Sequence, residues 1–82
     1  MGALETYFPV VATKVNRQSA AAAIEMALIP LETAESNLNV ILNKRELRET
    51  MGEDEQIDLG LDRNKLLEAI RILNQVKTRL EK

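Results

Sequence analysis

Glu35 is the carboxylate whose place along the chain could best suit acid–base chemistry. Its helical angle sets it within an apolar stripe running from residue 24 to residue 42. A general acid needs a partner, however. The chain contains no histidine and no cysteine, which excludes the usual nucleophile–base triads. Ser19 and Ser36 fall on expected helices with no recognisable base beside them. The expectation for Glu35 is therefore structural: an ion pair with a basic residue on a facing helix.

The remaining acidic residues suggest no site. Gly52-Glu-Asp-Glu-Gln-Ile-Asp-Leu-Gly60 is rich in carboxylates, but Leu59 stands where an EF-hand loop needs glycine. Gly2, Gly52 and Gly60 are too far apart to form a phosphate-binding loop. The expectation is a non-enzymatic chain with no catalytic, cofactor-binding or metal site.

Eighty-two residues allow one small domain, and a core of that size is marginal without a staple. Tyr7 and Phe8 are the only aromatics, so the core must come from Leu, Ile, Val, Ala and Met. That composition favours helices. The expected fold is all-α: a long helix kinked at Pro30, and a C-terminal helix folded back on it as an antiparallel hairpin or small bundle completed by oligomerisation.

Ile24, Ala27, Leu28, Leu31, Ala34, Leu38, Ile41 and Leu42 follow three- and four-residue steps that keep their phase through Pro30. Proline in a helix interior removes a hydrogen bond and crowds the preceding turn, so a kink is expected there. Thr13 is the candidate N-cap, which leaves residues 1–12 as an N-terminal segment and 13–51 as the long helix. Gly52 suits a left-handed helix end. Residues 52–60 read as an acidic loop. Asp62 caps a final helix over 61–82, whose seam is Leu66, Ala69, Leu73, Val76 and Leu80. A hairpin through the acidic loop would set Leu66 near Leu47, Ile70 and Leu73 near Leu42 and Leu38, and Leu80 near Leu31. Lys14 to Ile29 would then overhang.

That overhang is apolar on a second side. Val15, Ala22, Ala23, Met26 and Ile29 are the expected partner-binding residues, the partner being a second copy or another helical protein. This plan, a helical hairpin with a spare apolar face, resembles the small co-chaperones of type III secretion systems. A chaperone, adaptor or scaffold role is what the resemblance implies. A structural subunit of a phage or secretion assembly would have the same needs.

Net charge is −2, which gives no basic field for nucleic acid. The charge is uneven: residues 61–82 hold six basic and three acidic side chains, and residues 44–60 the reverse. One segment carries a different reading. Leu59-Gly-Leu-Asp-Arg-Asn-Lys-Leu-Leu-Glu-Ala-Ile-Arg-Ile-Leu73 resembles the turn and recognition helix of helix-turn-helix repressors of the winged-helix kind. The resemblance implies a DNA-binding segment over 53–73, with Arg63, Asn64 and Lys65 at the major groove and Arg71 on the backbone. Six acidic residues between Glu46 and Asp58 would repel phosphates, so nucleic acid stands second to a protein partner. No secretory signal is visible, and Ala20 to Leu31 is too short to span a bilayer. A cytoplasmic location is the expectation.

Overall fold

The computed structural model describes the backbone of residues 2–82 and the side chains from Phe8 onward. Three helices follow one another: α1 (Gly2–Asn43), α2 (Arg45–Arg48) and α3 (Glu53–Glu81). α3 packs antiparallel along α1, and α2 is a single turn at the tip. The result is an all-α hairpin 70 Å long and 17 by 15 Å across. Its radius of gyration is 19.9 Å, where a compact domain of this length would have about 12 Å.

The packing seam has a strict seven-residue rhythm. On α1 it runs through Arg17, Ala21, Ile24, Leu28, Leu31, Glu35, Leu38 and Leu42, each at least half-buried. On α3 it runs through Gln56, Leu59, Arg63, Leu66, Ile70, Leu73, Lys77 and Leu80. Alternating steps of three and four keep one stripe of each helix turned to the other, as in a coiled coil. Among the described residues only Ala21 and Leu28 are nearly sealed from solvent, at 7% and 6% exposure. Two helices can cover each other on one side only.

Several expected boundaries are corrected. α1 does not begin at Thr13; Thr13 lies inside it, its hydroxyl donating to the Pro9 carbonyl at 2.7 Å. The expected 1–12 segment is helical from Gly2, and Met1 falls outside the described residues. α1 runs unbroken through Pro30 and ends at Asn43 instead of continuing to Met51. Pro30 and the Met26 carbonyl it cannot serve both lie on the side away from α3, where water can bond that oxygen.

The acidic stretch is not a loop. It opens α3, with Glu53, Asp54 and Glu55 in the first turn, where carboxylates complement the positive helix end. Gly52 is the N-cap of α3, not a left-handed residue: its φ is −69° and its ψ 163°. The Gln56 amide closes the tip by donating to the carbonyls of Arg48 and Met51 at 3.0 and 3.1 Å.

Because α3 gains these residues, its register on α1 differs from the expected one. Arg17 donates to the carbonyls of Leu80 and Arg79 at 3.2 and 2.7 Å, and Arg63 meets Glu35. Leu80 therefore lies beside Arg17 and Ala21, not Leu31. The stretch from Arg17 to Ile29 does not overhang; one of its sides is covered by α3.

Gly60 sits mid-helix, and a methyl group there would meet nothing within 4 Å. Glycine in a helix interior costs about 0.5–1 kcal/mol relative to alanine. Gly60→Ala should therefore raise the midpoint of thermal unfolding, followed by circular dichroism, by about 3–6 °C. An unchanged or lower midpoint would show that Gly60 has a role beyond helix propensity.

Candidate interaction face

α1 and α3 differ sharply in charge. From Phe8 to Asn43, α1 carries only Lys14, Arg17, Glu25, Glu32 and Glu35. α3 carries twelve charged residues in 29. Of the five on α1, Arg17 and Glu35 sit in the seam with α3 and Glu25 pairs with Lys77 of α3 at its edge.

The outward side of α1 has a second seven-residue rhythm. Phe8, Val15, Ala22 and Ile29 recur at intervals of seven; so do Ser19, Met26, Thr33 and Val40. Interleaved, they step by four and three from Val15 to Thr33, with Phe8 and Val40 seven residues beyond either end, along the back of the helix and roughly opposite the seam that faces α3. All eight are exposed, Met26 at 72% and Ile29 at 65%. None is charged. A soluble helix with one buried stripe is expected to carry charge on its opposite side; this one does not. Val15, Ala22, Ala23, Met26 and Ile29, singled out from the sequence as partner-binding, all lie exposed on this outward side. Phe8, Ser19, Thr33 and Val40 extend the same surface; Ser19 and Thr33 were missed because they are polar, Phe8 and Val40 because they lie a further seven residues out. The seven-residue interval was the signal that could have found them.

Glu35 has the structural place expected of it. Arg63 Nε donates to Glu35 Oε1 at 2.8 Å, with the two side chains 31% and 20% exposed. Further along the hairpin, the seam residue Lys77 has its Nζ 3.9 Å from Glu25 and 3.6 Å from Glu81.

The four residues implied for DNA contact are not brought together. α3 is continuous through Leu59-Gly60-Leu61, so the turn of a helix-turn-helix does not form over 53–73. A helix needs no break at Gly60 when the seam through Gln56, Leu59 and Arg63 holds it against α1. Arg63 is turned inward onto Glu35. Asn64 is exposed, and Lys65 lies 3.9 Å from Asp62. Arg71 is engaged by Glu68, its Nε donating to Glu68 Oε2 at 2.9 Å. That bond holds the Glu68 carboxyl below its ordinary pKa and raises the Arg71 guanidinium.

No helix among the described residues is long and apolar enough to cross a membrane. No protein-family model matches the chain, and the comparisons with curated proteins and with solved structures gave no match either.

Proposed function

We propose that this chain is a non-enzymatic helical interaction module, acting as a scaffold or adaptor subunit through the uncharged back of α1. The observation that carries this reading is the second, uncharged seam from Phe8 to Val40, each of whose eight residues is exposed in the hairpin. A helix already packed along one side and uncharged along the opposite one is suited to burial on both. The surface area supports it. The hairpin exposes 6557 Å², where a compact monomer of 9.2 kDa would expose about 4,900 Å². The excess of about 1,600 Å² is twice what one partner contributes to a standard interface. α3, with its dense charge, is suited to the outside of whatever forms.

Photo-crosslinking in the native cell tests this reading without presupposing the partner. A photoreactive residue at Met26 should give a discrete protein adduct, and one at Gln75 on the exposed side of α3 should give none. Adduct yields at Met26 no higher than at Gln75 would overturn it.

A further inference from the structure

We infer that the occupant of this seam is a second copy of the chain, lying antiparallel, so that four helices form in the order α3–α1–α1–α3. This rests on the interaction role just proposed for the back of α1, and it names the partner.

Three observations point to self-pairing. The first is length and area. The seam spans about 48 Å from Phe8 to Val40, at 1.5 Å per residue. A strip that long and one helix diameter wide covers about 500 Å² on each partner, so the pair removes the roughly 1,000 Å² that a specific interface needs. Pairing α1 with α1 draws on the exposed excess of both copies at once.

The second observation is charge. A surface with no charge of either sign meets its own copy without like-charge repulsion, and leaves no partner ion buried and unpaired. Glu25 and Glu32, seven residues apart, border the seam along one edge, and Lys77 of the same chain lies 3.9 Å from Glu25.

The third is shape. Full overlap of two antiparallel seams sets Ala22 opposite Met26 and Ser19 opposite Ile29, small against large. Phe8 then faces Val40. In a parallel pair every residue would meet itself: the small Ser19 and Ala22 would leave two adjacent loose layers, and Met26 and Ile29 two adjacent crowded ones. The antiparallel arrangement evens them out. It also buries α1 on two sides and leaves the more heavily charged α3 outermost.

Light scattering on a sizing column should give twice the chain mass of 9.2 kDa. Asn37 lies exposed beside the seam. Spin labels on an Asn37→Cys variant should be about 39 Å apart in the antiparallel pair, and close to the interaxial spacing of about 8–10 Å in a parallel one. Met26→Glu should weaken the dimer at least tenfold, whether or not the released chain keeps its helicity. Met26→Gln, with no charge, should weaken it less. A single-chain mass at every concentration, a mass above two chains, a short label distance, or a dimer that survives Met26→Glu would each overturn the inference. A monomer in solution whose Met26 crosslinks to a different protein in the cell would remove the second copy and leave the interaction role standing. A monomer with no Met26 crosslink would remove both.

Discussion

Leu28→Ala should destabilise this protein by about 2–5 kcal/mol, the range for truncating a buried leucine. The effect is large because so little else is buried. An 82-residue domain has a total stability of about 4–12 kcal/mol by the usual per-residue figure. A hairpin with two nearly sealed residues, Ala21 and Leu28, belongs at the lower end of that range. The variant should therefore lose half or more of its stability, and its thermal midpoint should fall by at least about 10 °C. Ala21, seven residues away, carries only a methyl group, and the neighbouring layers of the seam are fixed by helix geometry, so the cavity cannot collapse readily. Leu61→Ala is the control: Leu61 is exposed on α3 and outside the α1 back, so its loss should change stability by no more than about 0.5 kcal/mol. Urea unfolding of both variants at one protein concentration gives the comparison, because stability coupled to association varies with concentration. Equal midpoints for the two would mean that the α1–α3 seam does not carry the fold.

The apolar part of that seam was legible in the sequence. Ile24, Leu28, Leu31, Leu38 and Leu42 mark the α1 stripe by spacing alone, and the place of Glu35 among them announced an ion pair. What the sequence concealed were the layers where the seam turns polar. Arg17 is a seam residue that caps the end of α3, and it carries the stripe a further turn and more before Ile24. Gln56, Leu59 and Arg63 continue the α3 seam back through a segment whose carboxylates read as a solvated loop. In isolation Glu53, Asp54 and Glu55 favour solvent. In the first turn of a helix they complement its dipole, and the hydrophobic layers behind them supply the packing. A period of seven counted without regard to polarity recovers both extensions, and with them the register. The outward seam of α1 was half legible for the same reason: Met26 and Ile29 stand out, while Ser19 and Thr33 do not.

Those polar layers lead to the second prediction. Arg63→Leu should cost about 1–3 kcal/mol, because it leaves the Glu35 carboxylate in the seam without its donor. Glu35→Leu should cost a similar amount by stranding the guanidinium. The double variant Glu35→Leu/Arg63→Leu should be close to the parent, or more stable, since an apolar layer avoids desolvating two charges. The cycle should then give a coupling of about 1–3 kcal/mol, read from urea unfolding of all four proteins. Partial exposure of both side chains keeps this below the cost of breaking a fully buried pair. What the ion pair supplies is register. Leucine and isoleucine layers repeat every seven residues, so α3 could slide on α1 by one repeat and still bury apolar surface. Only one alignment sets Arg63 against Glu35 while Arg17 reaches the last carbonyls of α3. The double variant should therefore keep its helicity and stability but populate more than one register, visible as additional amide resonances for α3. Additive single effects, or one sharp set of resonances in the double variant, would show that the apolar layers alone define how the hairpin closes.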